Sequence, residues 1–398
     1  MKHITVEKIK RSTKASMHSI SFPSAVWHKR RSVFRHCLFA SMIMALVIPS
    51  RTSALIINAT FDSTITSDPQ AAAIEATINS AIAVYEANFS DPITVTFTFQ
   101  EVTNGLASSS TFVIPVAYSD YIAALTAHAT SVDDATMLAH LPSGPNNPVN
   151  GNSQITLNVP LARALGFSAN PPSGQSDSTI SLNMTAMNIT SSDHNTNNYS
   201  LFAAVSHEMD EGLAFGGGLN GLTNGQGAPT DDSVEPEDLI RYDPNGARSW
   251  TTDVNASAWC SFDGINDLVR FNQHEVGDFA DWYSYYGVDV PRVQDAYGTP
   301  NTFPVLGVEL RVLDAIGLTF TSSYQAGPVW VDFNYTGSPQ NGTYQNPFQT
   351  LAQAASAVPS GGTVAINATD QPSESSQTIT ITKAMTIVSV AGPSTIGQ

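Results

Sequence analysis

The chain has 398 residues, with 17 Lys+Arg against 34 Asp+Glu and two cysteines. That length allows two or three domains with a substantial core, and an apolar content of 42% excludes general disorder. Beyond residue 54 only seven basic residues face 33 acidic ones, a balance that excludes charge-driven binding to nucleic acid or to anionic membranes.

Residues 1–54 hold the other ten basic residues and one acid, Glu7. An apolar run from Cys37 to Pro49 follows the basic stretch and is too short for a comfortable membrane span. Thr52-Ser53-Ala54 comes next. Basic region, apolar region and small cleavage site predict a secretory signal peptide over 1–54, with a start near Met17 accounting for its length. An uncleaved anchor is the alternative. Removal of this segment predicts a secreted or cell-surface chain with no stable membrane insertion. It also leaves Cys260 alone, so a buried inert thiol is expected and no intramolecular disulfide. The charged fraction of 13% is low, and Asn, Ser and Thr fill the gap. That suits an extracellular β-rich surface.

Downstream, residues 55–61 read as a strand and 69–88 as a helix that starts at Ser67-Asp68-Pro69. Residues 92–102 alternate strictly from Thr94 to Phe99, the pattern of a half-buried strand. Tyr121–Thr130 and Val132–Leu141 read as short helices, Gln154–Pro160 and Ser178–Met184 as strands. A helix from about Tyr199 to Phe215 ends at Gly216-Gly217-Gly218. This order predicts an α+β fold in which a twisted sheet packs on helices. Residues 219–320 are loop-rich and close on a helix over Gly307–Gly317. Residues 321–328 read as a linker. In 329–398 a strand-like VWVDFNY precedes a helix, Phe348–Val358. Strands follow over Thr363–Asn367, Thr378–Ile381 and Met385–Val390. Short strands separated by turns suggest the first coils of a β-solenoid.

The chemistry concentrates in YSLFAAVSHEMDEGLAF. With His207 at zero on a helical wheel, Glu211 lies about 40° away and Glu208 about 100° away. Phe202, Val205, Met209 and Leu213 form a core stripe on the other side. Small residues, Ser200, Ala203, Ala204 and Ala214, line the His207 face. His207 and Glu211 at i and i+4 present imidazole nitrogen and carboxylate oxygen to one point, a pair that binds zinc at roughly 2.0–2.2 Å. In the H-E-x-x-H pattern the Glu after the first ligand is the general base for metal-bound water. Here the pattern is H-E-x-x-E, with Glu208 in the base position and Glu211 as a carboxylate ligand. That exchange weakens the acidity of bound water and opens the site to other divalent ions. The bland alternative is a solvated acidic face, but no basic residue in the helix pairs its three acids.

These residues resemble a known family. SHEMDEGLAFGG, EDLIRYDPNGARSW, SFDGINDLVRFNQ, GDFADW and ELRVLDAIG, in that order over roughly 55–320, are similar to secreted bacterial metalloprotease-like proteins. Members often end in a PEP-type sorting signal, and their helix usually reads H-E-I-D-E. The resemblance implies a zincin-like domain over 55–320. Longer zincin motifs add a Gly and a His where this chain has Ala214 and Gly217, so a third metal ligand has to come from elsewhere. Asp231, Asp232, Glu235, Glu237, Asp238 and His274 are the candidates, with Asp238 favoured because it lies in the EDLIRY motif. The segment VDFNYTGSPQNGTYQNPFQTLAQAASAVPSGGTVAI resembles the opening coil of right-handed parallel β-helix proteins of the pectin-lyase type.

Other groups carry weaker signals. Asp263, Asp267, Asp278 and Asp281 could bind calcium through oxygen but lack EF-hand spacing, so turn formation is expected. Arg241 and Arg248 are expected to pair with carboxylates and fix loops. Tyr242 is a packed aromatic or an oxyanion donor. Trp282, Tyr283, Tyr285 and Tyr286 are core or a substrate shelf. The expected function is a secreted, metal-dependent endopeptidase-like hydrolase acting on protein or peptide, with zinc on His207, Glu211 and a third ligand. The alternatives are an inactive extracellular structural or adhesion protein, and a sugar-binding surface protein working through its β-helix-like segment.

Overall fold

The computed structural model describes residues 54–398 apart from 223–226, 230–232, 275–276, 285–289, 322–328, 339, 341, 343–346, 359–361, 369–371, 383–384, 391–392 and 398. The expected signal peptide and most of the expected linker therefore lie outside the described residues, as do Asp231, Asp232, Tyr285 and Tyr286.

Strand β1 (Ile56–Phe61) leads through a short turn of helix, α1 (Ser63–Thr66), into α2 (Ala71–Asn88). Asp62 starts α1 by accepting the Thr64 amide at 2.8 Å. In α2 the buried side chains Ile74, Ile78, Ala81, Ile82 and Tyr85 recur at helical spacing and form one apolar stripe. Strand β2 (Thr94–Glu101) buries Val95, Phe97 and Phe99 completely, as their alternation with threonine predicts.

Two strands come next that their sequence does not announce: β3 (Ala107–Thr111), with serine at three of its five positions, and β4 (Val113–Ala117). Helices α3 (Tyr118–His128) and α4 (Val132–His140) follow, the latter started by a reciprocal Ser131–Asp134 capping box. Strand β5 (Gln154–Asn158) pairs antiparallel with β4. It is shorter than its apolar pattern predicts, because Pro160 lies in the first turn of α5 (Val159–Ala164). Strand β6 (Ser178–Leu182) completes a four-stranded sheet of order β1-β2-β6-β3. The first three strands run parallel, and β3 is antiparallel at the edge.

A two-residue pair, β7 (Met187–Asn188) with β8 (Tyr199–Ser200), brings the chain to α6 (Leu201–Leu213). Ser200 caps this helix, accepting the Ala203 amide at 3.2 Å. Val205, Met209 and Leu213 are buried as the wheel predicts. Gly212 sets how close α6 comes to the sheet, since a Cβ there would run into the Phe97 ring and reach 3.4 Å from the Ser178 Cβ.

The loop-rich part contains a small antiparallel sheet of β9 (Arg241–Tyr242), β10 (Ala258–Ser261) and β11 (Asp267–Phe271). Helix α7 (Val308–Ala315) closes this core. The architecture is thus α+β with small open sheets, as expected.

Residues 329–398 have a hydrophobic cluster of their own, formed by Val331, Leu351, Ala354, Val358, Val364 and Ile366. Strands β12 (Val329–Val331), β13 (Thr363–Asn367) and β15 (Thr386–Val390) make a parallel sheet, with α8 (Leu351–Ala357) between the first two in sequence. Strand β14 (Glu374–Ser375) pairs parallel with β16 (Thr395–Ile396). Thr378–Ile381 forms no strand, contrary to expectation. No helix among the described residues is long and apolar enough to cross a membrane.

Candidate metal centre

Helix α6 does what its spacing predicts. His207 Nε2 and Glu211 Oε1 lie 3.8 Å apart on one face. The third group is Asp281, whose Oδ1 is 3.7 Å from His207 Nε2. One ligand atom from each of His207, Glu211 and Asp281 lies within 4.8 Å of the others. Two carboxylates that close repel by about 3 kcal/mol or more at an effective dielectric constant near 20, which a cation between them would reverse.

Each member is held by a different element. His207 Nδ1 lies 3.0 Å from the Val293 carbonyl oxygen. A carbonyl can only accept, so Nδ1 donates to it and Nε2 is the nitrogen that faces the cluster. Glu211 Oε2 accepts the Ser109 hydroxyl of β3 at 2.5 Å, and its backbone carbonyl accepts Asn158 Nδ2 at 2.6 Å. Asp281 sits in a segment laced on both sides. Its carbonyl accepts the Asn272 amide, the Tyr283 amide donates to Arg270, and Trp282 exchanges backbone bonds with Gln294 and Ala296. Glu309 of α7 locks that arrangement, accepting Trp282 Nε1 at 3.0 Å and the Gln294 amide at 3.3 Å on Oε1.

The cluster lies on the wall of a cavity of about 860 Å³. Glu208 also lines it, with Leu106 to Ser109 of the edge strand, Ala203 and Ala204 of α6, and Asp278 and Asp295. Asp295 is 5% exposed, and burial pushes its carboxyl up to about 8. It accepts the Arg292 amide on Oδ2 at 2.9 Å.

Asp210, the third acid of the helix, turns the other way. It is fully buried, and its Oδ1 is 2.8 Å from the Tyr85 hydroxyl of α2. Burial, with the nearby Glu309, holds its carboxyl well above the usual range. The helix therefore brings two carboxyl side chains, Glu208 and Glu211, to the cavity rather than three.

Asp238, the favoured third ligand by resemblance, stands elsewhere. Its Oδ2 accepts the Gly218 and Glu235 amides at 2.9 and 3.0 Å. Glu237 accepts the Gly216 amide at 2.9 Å. These acids clamp the glycine turn after α6, where a Cβ on Gly217 would come 2.8 Å from Asp238 Oδ1. Arg241 is buried and donates to the Phe279 and Asn272 carbonyls at 2.7 and 3.2 Å and to the Gln273 side chain. It thereby fixes the loop that leads to Asp281. Arg248 likewise donates to the Leu239 and His140 carbonyls. Both arginines fix loops as expected, through carbonyl oxygens; among the described residues neither forms a close ion pair with a carboxylate, although Asp238 and Glu237 lie near enough to act on the Arg241 charge.

His274 is exposed and contacts Tyr297 rather than the cluster. Asp263 is a turn former, accepting the Ile265 and Asn266 amides at 2.8 Å. Tyr242 packs under Arg248, Trp282 is core, and Cys260 is a buried thiol that burial pushes up. The contributions of Ser109, Val293, Gln294 and Glu309 have no signature in sequence. Val293 acts through its carbonyl, which every residue has.

The arrangement is a helix-borne cluster of one imidazole and two carboxyl groups beside a cavity, a donor set that could hold a metal ion. No known family model, characterised protein or solved structure matches this chain, so its chemistry is read from its own geometry.

Proposed function

We propose that this protein is a secreted, metal-dependent hydrolase of peptide bonds, with a divalent cation, zinc first, on His207, Glu211 and Asp281. The observation that carries the reading is the convergence of those three donors on the cavity that Glu208 also lines. The donor set suits the ion: one imidazole with its proton fixed on the far nitrogen, and two carboxylates. A bound divalent ion supplies Lewis acidity and lowers the pKa of water.

Glu208 follows His207 on the helix and is the base in this reading. It takes a proton from the attacking water and returns it to the leaving amine. Asp295, protonated through its burial, is a second proton store at the cavity wall. The edge strand β3 pairs only with β6 among the described residues, and its Leu106–Ser109 stretch borders the cavity. An extended peptide adding to that edge would lie across the site, which favours a peptide over a sugar.

We read the domain as zincin-like on the strength of the sheet, its antiparallel edge and the helix that bears the site. The parallel stacking of β12, β13 and β15 supports reading 329–398 as opening coils of a parallel β-helix, with a binding or spacer role beside the hydrolase. Calcium remains secondary, since Asp281 belongs with His207 in this reading.

Elemental analysis of the purified protein beside His207→Ala, with hydrolysis of unfolded protein substrates by wild type and Glu208→Gln, tests the proposal. It predicts about one zinc per chain, lost in His207→Ala, and hydrolysis lost in Glu208→Gln. Wild type without metal, or Glu208→Gln with full activity, would overturn it.

A further inference from the structure

Gln294 is completely buried, yet its amide enters the cluster. Its Nε2 lies 2.9 Å from Asp281 Oδ1 and 3.3 Å from His207 Nε2. Asp281 Oδ1 accepts from the Gln294 NH2, and His207 Nε2 accepts its second hydrogen in the tautomer that keeps the proton on Nδ1. One amide nitrogen thus stands between an imidazole lone pair and a carboxylate, where a cation would stand. The opposite end of the same amide, Oε1, is buried without a hydrogen-bond partner among the described residues. A buried acceptor whose partner the protein does not supply is one that an ion or a water can satisfy.

We propose that Gln294 is the fourth protein ligand of the cation, reached when its amide turns over and brings Oε1 to the place Nε2 now takes. This rests on the reading that a cation binds His207, Glu211 and Asp281.

The spacing supports it. Four ligands at roughly 2.0–2.2 Å in a tetrahedron are separated by roughly 3.3–3.6 Å. The distances from His207 Nε2 are 3.3, 3.7 and 3.8 Å to Gln294, Asp281 and Glu211. The two ends of an amide are nearly equal in size, so the turnover needs no repacking. Without metal the NH2 end bridges His207 and Asp281 and holds the pocket together. With metal the carbonyl end is the favourable one, since an NH2 group facing a cation is repelled and an oxygen is attracted. The backbone needs no shift, because the Gln294 amide is fixed on Glu309.

The test is zinc affinity of the full chain, by competition with a chromophoric chelator, for wild type, Gln294→Leu, Gln294→Glu and His207→Ala. Cobalt spectra of the first three accompany it, and thermal melts confirm folding. As a ligand, Gln294 predicts weakening in Gln294→Leu by more than about tenfold, the scale that loss of an outer-shell partner already reaches. Gln294→Glu, nearly the same shape, binds more tightly than wild type, and the cobalt bands shift in both variants. If Gln294 only steadies Asp281 by donating to it, Gln294→Glu repels Asp281 and binds more weakly, with unshifted cobalt bands; that overturns the proposal. Affinity that needs His207 but ignores both Gln294 variants also overturns it, and leaves the metal reading standing. A wild type that takes up no zinc, or as much as His207→Ala, overturns the metal reading and this proposal together.

Discussion

His207 Nε2 and Asp281 Oδ1 stand 3.7 Å apart, although one belongs to helix α6 and the other to a loop after strand β11. Their meeting depends on loop-fixing groups that never touch the site cavity. Arg241 holds the loop before Asp281, and Glu309 holds the segment after it.

Asp281 and Asp238 give opposite expectations. Asp281→Ala should abolish zinc uptake with little loss of fold. Asp238→Asn should leave uptake in place and cost about 1–3 kcal/mol, because a buried carboxylate that accepts two backbone amides is replaced. Metal titration and denaturant unfolding of both variants separate the roles. Zinc lost in Asp238→Asn and kept in Asp281→Ala would reverse the assignment.

Glu208→Gln should lower peptide hydrolysis by roughly 10²–10⁴-fold at unchanged zinc content, because it removes the proton acceptor and not a ligand. A parallel loss of zinc would instead make Glu208 part of the metal shell.

Gly212→Ala should destabilise the protein by about 1–3 kcal/mol, as overpacking in a filled interior does. The added methyl meets the Phe97 ring and forces α6 off the sheet. Since α6 carries two of the proposed ligands and β3 supplies Ser109, the same change should weaken metal binding. A melt at the wild-type temperature would show that the helix has room to move.

Metal-free stability should fall as pH rises from about 4 toward 8. Burial raises Asp238 to about 6 and Asp295 to about 8, and it also raises Asp314. An acid with a raised folded pKa holds its proton in the folded state and loses it in the unfolded one. Its contribution is complete below the unfolded value near 4 and is lost as pH passes its folded value. Melting temperature measured in chelator across this range checks the sign, and Asp295→Asn should flatten the part above about pH 6. A melting temperature that climbs through this window would contradict the assignment.

Much of the frame was legible in the residues. The Thr94–Phe99 alternation, the helix read over 69–88 and the i, i+4 pairing of His207 with Glu211 are local patterns, and local patterns survive folding because they reflect backbone geometry. The serine-rich strand β3 was not legible, since its strand state comes from pairing with β6 rather than from its own composition. Nor was the true role of EDLIRY, whose acids and arginine look like ligands but hold backbone amides and carbonyls.

The α+β order of elements, the acidic character of the chain beyond residue 54, and a helix presenting His207, Glu208 and Glu211 follow from the residues alone. That Asp281 rather than Asp238 joins them, that Asp210 turns away to Tyr85, and that the Gln294 amide stands among the donors are outcomes of folding. The reason is physical. A helix places its own side chains through a fixed turn, but groups that meet across loops do so through contacts distant in sequence, and no short-range pattern records those.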